Sequence, residues 1–230
     1  MSQVRETPLL ETERKKGHAL PDFFVRMVRE KPLGVVGGVI VLIVLFGGTF
    51  AGVLAPHGMD EVNVLNRFAP PSAKHLLGAD QVGRDILSRL IYGARVSMIV
   101  GLAATSICIA VAAIIGVPSG YLGGKYDMVV QRFVDAWMAF PGLLILLTVM
   151  SMVERGMFQI IFVLGILVGI YNSRVVRSAV IGIKENDYFL AAKAIGSTNA
   201  RTLMRHVLPN IMAPIIVIFS INIGTIILDE

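Results

Sequence analysis

The sequence predicts an all-α membrane protein, a polytopic helical bundle with five transmembrane spans. Composition is the first reason. Of the 230 residues, 55% are hydrophobic and 16% are charged, and the mean hydropathy is +0.73. These values lie outside the range of ordinary soluble domains. The second reason is that the apolar residues form long uncharged runs, each about as long as a helix that crosses a hydrocarbon core of ~30 Å.

The five predicted spans follow from these runs. Residues 33–54 and 96–117 contain no charged side chain, and as helices they extend for about 33 Å at ~1.5 Å per residue. Three further runs complete the set, at residues 136–153, 157–173 and 207–228. Glu154 and Arg155 carry the only charges between the third and fourth runs, which predicts a tight hairpin there.

The positions of lysine and arginine predict the orientation of the spans. If the N-terminus is cytoplasmic, 15 of the 21 basic residues lie on the inner side and six on the outer side. The positive-inside rule therefore predicts a cytoplasmic tail at residues 1–32, an outer loop at 55–95 and a cytoplasmic segment at about 184–209. Residues 96–230 then form the core with the remaining four spans. Insertion into a lipid bilayer explains the net charge of +5, so we expect no nucleic-acid partner.

The predicted outer loop has two halves. Its first half contains Pro56, Pro70 and Pro71 and is expected to be extended. Its second half, residues 85–92, places apolar side chains at helical spacing, which predicts an amphipathic helix lying at the outer membrane interface. The charged residues nearby are either a solvated polar face with an aspartate near the helix start or a contact surface for a partner protein. They are Arg84, Asp85, Arg89 and Arg95.

The predicted cytoplasmic segment has the features of two short helices joined at a glycine. Gly196 is suited to the left-handed turn that ends a helix over residues 188–195, and the second helix would reach His206. Leu208 and Pro209 would then open the last span, because proline is tolerated in the first turn of a helix. The side chains able to cap the two helices are Asn186 or Asp187 for the first and Ser197 or Thr198 for the second. Periodicity alone leaves two interpretations equal: a docking site for a soluble partner, or two short helices with nothing bound.

Glycines and prolines within the spans predict packing and kinks. Small residues at four-residue spacing allow close helix contacts. Pro141 and Pro214 interrupt apolar runs and predict kinks. The glycines at this spacing are Gly116, Gly120 and Gly124 in one set, and Gly165 and Gly169 in another.

Several function classes are disfavoured by what the spans lack. Their central residues include no Asp, Glu, Lys, Arg or His, which argues against a proton-coupled secondary transporter. A channel would leave the cytoplasmic helix pair without a role. The sequence has no His-Glu-x-x-His motif, and Cys108 lies within an apolar run, where we interpret it as packing. The histidines, His18, His57, His75 and His206, all fall outside the spans. We therefore predict no catalytic residue, metal or cofactor in this chain.

The order of residues in the cytoplasmic segment resembles the EAA loop of ATP-binding cassette importer permeases. That loop has the pattern Glu-Ala-Ala, three residues, Gly, nine residues, Ile, one residue, Leu-Pro. The residues that match are Ala191, Ala192, Gly196, Leu208 and Pro209. Leu190 stands in place of the family's Glu, and His206 in place of its Ile. In the family this loop couples the permease to a cytoplasmic ATPase.

A second resemblance narrows the subfamily. The segment from His75 to Arg95 is similar to the H-x-L-G-T-D-x-x-G-R-D-x-L-S-R-L-x-Y-G-A-R motif of the C-type permease in dipeptide, oligopeptide and nickel importers. The motif residues here include Gly78, Asp80, Gly83, Arg84, Asp85 and Arg89. The resemblance extends over residues 33–230, nearly the whole chain.

The resemblance implies a type I importer permease fold, with five spans present of an expected six. It implies that a sixth span is encoded beyond Glu230. The protein would lie in a bacterial or archaeal cytoplasmic membrane and would transport di- or oligopeptides, with nickel or glutathione-like ligands as the alternative. Its implied partners are a second permease, two cytoplasmic ATPases that hold ATP and Mg, and an extracytoplasmic substrate-binding protein. The permease itself would not be an enzyme.

Overall fold

The computed structural model describes residues 28–153, 156–194 and 196–229, without the side chains of Leu190 and Lys193. Most of the predicted tail at residues 1–32 thus lies outside the described residues. The chain divides into two units, residues 1–46 and 47–230. The described helices are α1 (Pro32–Thr49), α2 (Ala51–Leu54), α3 (Ile86–Leu122), α4 (Gly124–Met138), α5 (Gly142–Met152), α6 (Met157–Lys184), α7 (Asp187–Ala194), α8 (Asn199–Thr202) and α9 (Leu208–Asp229), with a 3-10 turn at Val64–Asn66 and a π-helical turn at Leu203–Val207.

The predicted all-α membrane fold is confirmed. Four helical stretches in the described part of the chain are long and apolar enough to cross a membrane, namely Pro32–Thr49, Ile86–Leu122, Met157–Lys184 and Asn199–Asp229. The bent pair α4 and α5 raises this number to five if it forms one broken span.

The first span is shorter than predicted. Helix α1 begins at Pro32 and ends at Thr49, and Phe50 interrupts the helical conformation before α2 begins. Proline suits the first helical turn because its missing N–H would have no partner there. Helix α2 ends at Leu54, and the next residue, Ala55, is extended with ψ 123°. That conformation is expected before Pro56, whose ring disfavours a helical residue in front of it.

Helix α3 corrects the prediction of a separate helix at the membrane interface. Residues 85–92 are not an independent element, because Ile86–Leu122 is one unbroken helix of 37 residues. Asp85 caps only its start, and Gly93 and Pro118 both lie inside it without ending it. The apolar spacing that indicated a short amphipathic helix is therefore the first two turns of the second span.

The third predicted span falls on a bent pair of helices. Helices α4 and α5 meet at an angle of 80°, and Pro141 is the residue immediately before α5. Proline lacks an N–H and clashes with the preceding turn, so it ends a helix at this point. The kink predicted at Pro141 is confirmed. The predicted span 136–153 is wrong at its start, because α5 covers only Gly142–Met152.

The fourth span is longer than predicted. Helix α6 extends to Lys184 rather than to residue 173. The hairpin predicted before it turns on Glu154 and Arg155, which lie outside the described residues. Pro214 lies inside the continuous helix α9, and its predicted kink stays a prediction.

Close packing of α3 against α6 depends on glycines from both helices. A Cβ atom at Gly120 would lie 2.7 Å from the carbonyl oxygen of Arg177, and one at Gly116 would overlap the backbone of α6. On α6, a Cβ at Gly165 would lie 2.7 Å from Cβ of Ile107. Small residues therefore let the two backbones approach each other, as the four-residue spacing predicts.

The contacts of these glycines also show how α3 and α6 are oriented relative to each other. Gly169 of α6 packs against the carbonyl of Cys108, while Gly116 of α3 packs against that of Ser173. The contact positions advance together along both helices, so α3 and α6 run parallel. The predicted membership of Gly124 in this face is wrong. Gly124 lies beyond the end of α3 with φ +55°, and a Cβ there would have no described residue within 4 Å.

The last span begins earlier than predicted. Leu208 and Pro209 do not open it, because residues Asn199–Asp229 form one continuous helical stretch. Within it, the N–H of Leu208 bonds to the carbonyl of Leu203, five residues back, as in a π-helical turn. This wider turn precedes Pro209, whose ring would clash with the carbonyl four residues earlier in a regular α-helix.

The core of the second unit lies among α3, α6 and α9. Val117, Val180 and Ile211 are among its fully or nearly fully buried side chains at one end, and Val100 and Ile226 at the other. Ile211 packs in the cluster at the C-terminal end of α3, and Ile226 packs in the cluster near the start of α3. Helix α9 therefore runs antiparallel to α3. Cys108 is buried in this core, consistent with packing.

Candidate functional site

In the Gly196 segment, residues 185–207, the predicted turn joins α7 to a second helix, but that second helix is the start of the last span and not a separate short helix. Gly196 has φ +80°, the left-handed conformation expected at the end of a helix. Just beyond it, Thr198 caps α8 by accepting the N–H of Arg201 at 3.4 Å. One of the two proposed caps for α7 is wrong, since the Asn186 amide donates to the carbonyl of Gly182 at 3.1 Å and so caps the end of α6.

Apolar burial holds this segment against the bundle. Phe189 of α7 is 2% exposed and belongs to the core cluster of α3, α6 and α9. Its ring lies edge-on to that of Tyr121, with centroids 6.3 Å apart. Of the two small residues predicted to meet a partner, Ala192 is buried inside the chain and Ala191 is exposed. A partner surface would therefore meet Ala191 and Gly196 rather than both alanines.

Polar contacts connect the segment, and the last residue of α6 just before it, to the end of α3. The hydroxyl of Tyr121 donates to Oδ1 of Asn199 at 3.1 Å. Nζ of Lys184 donates to the carbonyls of Gly120 and Tyr121 at 3.1 and 2.8 Å. Both carbonyls belong to the last turn of α3, where the C=O groups have no N–H partner within the helix. Lys184 therefore caps α3 from a different helix.

An ion pair fixes the same end of the bundle. Oδ2 of Asp127 on α4 lies 2.5 Å from a guanidinium nitrogen of Arg177 on α6, and the Ser119 hydroxyl of α3 donates to the same carboxylate. Three helices are thus joined next to the Gly196 segment. Sequence reasoning missed Asp127, Arg177 and Lys184, because pairing across helices leaves no local spacing signal.

The second set of predicted residues lies in the interspan segment, residues 55–85. Its centre is Asp80. Oδ1 of Asp80 accepts the N–H groups of Val82 and Arg84, both at 2.9 Å, and Oδ2 accepts the side chains of Arg84 and Arg89 at 2.9 and 2.8 Å. Burial acts in the opposite direction, but these hydrogen bonds hold the pKa of Asp80 well below its ordinary value. The two arginines therefore have a partner within the chain.

The glycines of the motif make room for this turn. Gly83 has φ +80°, and a Cβ there would overlap the carbonyl oxygen of Asn63. The carbonyl of Gly78 accepts the N–H of Ile86 at 3.1 Å, which joins the turn to the start of α3. Close backbone approach thus requires glycine at position 83.

Asp85 is the N-cap of α3 and is 3% exposed, so its interpretation as a solvated residue is wrong. Oδ2 of Asp85 accepts the N–H and the hydroxyl of Ser88, each at 2.8 Å, and Oδ1 lies 3.0 Å from Nδ1 of His75. Burial opposes the effect, but these hydrogen bonds lower the pKa of Asp85. The predicted place of an aspartate at the helix start is confirmed.

Sequence reasoning also missed the two histidines that lie next to Asp85. His57, His75 and Asp85 each offer a ligand atom, and these atoms lie within 4.8 Å of one another. The histidines lie far apart in sequence and outside any spacing typical of metal motifs, so only the fold brings them together.

Two family models match the chain. Residues 109–230 match the binding-protein-dependent transport system inner membrane component, and residues 23–71 match the N-terminal TM domain of oligopeptide transport permease C. The first match includes the Gly196 segment, and the second includes α1 and part of the interspan segment.

Curated relatives agree with these matches. The chain is 34% identical to the dipeptide transport system permease protein DppC of Alkalihalophilus pseudofirmus, over 89% of this chain and 67% of the relative. It is 34% identical to the oligopeptide transport system permease protein OppC of Bacillus subtilis, over 88% of this chain and 66% of the relative. It is 30% identical to the glutathione transport system permease protein GsiD of Pectobacterium atrosepticum, over 88% and 67%.

The chain spans about two thirds of the length of these relatives. The multiple apolar spans, the helix pair joined at Gly196 and both family matches agree with one another. The chain therefore belongs to the binding-protein-dependent transport inner membrane components, among the C-type permeases of dipeptide and oligopeptide ABC importers.

Proposed function

We propose that this chain is a pathway-forming permease subunit of an ATP-driven, binding-protein-dependent importer. Its N-terminus is cytoplasmic, and a second homologous permease completes the pathway. Two cytoplasmic ATPases hold ATP and Mg, and an extracytoplasmic binding protein delivers the ligand. Family membership and the positive-inside count support this arrangement.

The observation that carries the proposal is the way the Gly196 segment is held. Its exposed face includes Ala191 and Gly196, and a Cβ at Gly196 would meet no described residue within 4 Å. Its opposite face is fixed by the buried side chains of Phe189 and Thr202. Small exposed residues backed by buried side chains suit docking into a groove of another protein, and the buried side chains connect the docked surface to the spans.

Di- or oligopeptides are the proposed substrate, because the relatives at 34% identity carry those names. A glutathione-like ligand is the second candidate, supported by the relative at 30% identity, and nickel is the third. Measuring which ligand binds to the cognate binding protein distinguishes these substrates.

The docking role is tested with Gly196→Glu in the assembled transporter. A glutamate adds bulk and charge to the exposed face, so ATPase recovered with the permease is expected to fall at least about tenfold, a loss of ~1.4 kcal/mol of binding free energy. Membrane insertion should be unchanged. The matched control is Gly196→Asn, since asparagine tolerates positive φ; it should retain most of the ATPase. Equal ATPase recovery and equal ATP-dependent uptake with Gly196→Glu and the parent chain would refute docking at this surface.

A further inference from the structure

We propose that His57, His75 and Asp85 form a binding site for one first-row divalent cation of the zinc class, which joins the interspan segment to the start of α3. His57 follows α2, His75 lies in the turn before Gly78, and Asp85 is the N-cap of α3. The inference is independent of the proposed transport function.

The donor set and its spacing fit such an ion. Two imidazole nitrogens with one carboxylate oxygen are typical ligands of zinc and related cations. In a tetrahedral zinc site, neighbouring ligand atoms are about 3.3 Å apart. Here Nδ1 of His75 lies 3.0 Å from Oδ1 of Asp85, and Nδ1 of His57 lies 4.0 Å from Oδ2. All three ligand atoms lie within 4.8 Å of one another.

His57 is the residue that distinguishes a metal site from a simple hydrogen-bonded cluster. Its Nδ1 atom is buried and has no hydrogen-bond partner among the described residues. Its ring stacks on that of His75, with centroids 4.9 Å apart. A buried nitrogen without a partner is unfavourable, and coordination to a cation beside Asp85 would satisfy it.

The surroundings of the cluster also suit a cation. A cavity of about 40 Å³ adjoins the three ligands, and its lining includes Glu61 and Lys74. With two carboxylates and one ammonium group in the lining, the cavity carries net negative charge when the histidines are neutral. Open space beside three ligands leaves a coordination position for water, as in zinc sites with three protein ligands.

Neighbouring groups are placed to orient the ligands. Nε2 of His75 lies 3.2 Å from the side-chain amide of Asn66. The atom of Asn66 that faces Nε2 is the amide nitrogen Nδ2. When a cation replaces the proton on Nδ1 of His75, the proton moves to Nε2, and a half-turn of the Asn66 amide brings its oxygen into place to accept a hydrogen bond from that N–H. Ser88 already fixes Oδ2 of Asp85 with two hydrogen bonds, which leaves Oδ1 directed toward His75.

The test measures zinc binding by the purified full chain in lipid nanodiscs. After treatment with a chelator, the protein is titrated with Zn²⁺ alone and the bound metal is counted by mass spectrometry. One Zn²⁺ per chain is expected. His57→Ala should weaken binding by at least about tenfold, since second-shell changes alone reach that size. It should leave the metal-free fold intact, because the bond to Oγ of Ser88 comes from the His57 backbone N–H.

The matched control is His206→Ala, which removes a histidine from the Gly196 segment and should leave zinc binding unchanged. X-ray absorption at the zinc edge should show nitrogen and oxygen ligands, and saturation with Zn²⁺ should raise the melting temperature of the parent chain but not of His57→Ala. No stoichiometric zinc in the parent chain would overturn the proposal. Equal affinity in His57→Ala and the parent chain, or loss of binding only in His206→Ala, would overturn it as well.

Discussion

The interspan segment and the Gly196 segment both connect long helices, but different forces hold them. The interspan segment is organised by polar groups: Asp80 accepts four hydrogen bonds, and buried Asp85 caps α3. The Gly196 segment is held mainly by apolar burial of Phe189, with Thr202 buried beside Ser197. One segment therefore depends on charge and exact backbone approach, and the other on packing.

The glycines show the same contrast. Gly83 and Gly196 both have φ +80°, but a Cβ would overlap the backbone of Asn63 in the first case and meet no described residue within 4 Å in the second. Positive φ alone thus says little about how a glycine tolerates substitution. The space around it separates a glycine that locks a turn from one that leaves a surface open.

The largest effect is expected from Gly83→Ala. The added methyl group would overlap a backbone carbonyl in a conformation that already strains alanine, so the free energy of unfolding should fall by at least about 4 kcal/mol. Gly196→Ala carries only the conformational strain and should cost about 1 kcal/mol. Thermal unfolding of both variants in the same detergent measures the difference, and equal losses would remove the contrast between the two glycines.

The next effect tests apolar burial in the Gly196 segment. Phe189→Ala would leave a cavity between α7 and the end of α3, and the free energy of unfolding should fall by about 3 kcal/mol. The neighbouring residue gives a matched control, since Tyr188 is 43% exposed and Tyr188→Ala should cost less than about 1 kcal/mol. Hydrogen exchange of residues 187–194 should rise in Phe189→Ala alone. Similar exchange in both variants would show that packing does not hold this segment.

The smallest expected effect is a loss of thermal stability at acidic pH, and it arises in the interspan segment. Hydrogen bonds keep the pKa values of Asp80 and Asp85 below the ordinary carboxyl value although burial opposes them. Both carboxylates therefore contribute stability above the unfolded value of about 4, and this stability is lost as the pH falls below it toward the folded pKa values. The melting temperature should decrease in that window.

Asp80→Asn should make the same melting curve less dependent on pH, because its side chain no longer takes up a proton on unfolding. The control is Asp60→Asn, which changes an exposed carboxylate in the same segment and should keep the pH dependence of the parent chain. An unchanged pH dependence in Asp80→Asn would show that Asp80 is not among the groups responsible.

Much of the fold follows from local signals in the sequence. Long apolar runs predict the spans because a backbone in lipid must satisfy its own hydrogen bonds, which a helix does. Gly196 and Thr198 predict a turn and a cap, and both are present. Pro141 predicts the break between α4 and α5. Each of these features depends on the residue and its immediate neighbours.

Other features could not be predicted in this way. Apolar spacing over residues 85–92 fits a short interface helix as well as the start of a long span, and only the continuity of α3 decides between them. Likewise, Leu208 and Pro209 look like a helix start, but the π-helical turn at Leu203–Val207 carries the helix past the proline. Packing against the bundle selects one of two locally acceptable conformations.

The sequence by itself determined the membrane environment, the order of the apolar runs, the turn at Gly196 and the family motifs, because composition and short-range sterics act within a few residues. Only the tertiary structure decided which groups meet. It pairs Asp127 with Arg177 and gathers His57, His75 and Asp85 around one point. It also places the glycines of α3 against α6. Such contacts join residues far apart in the chain, so their energies appear only when the helices pack.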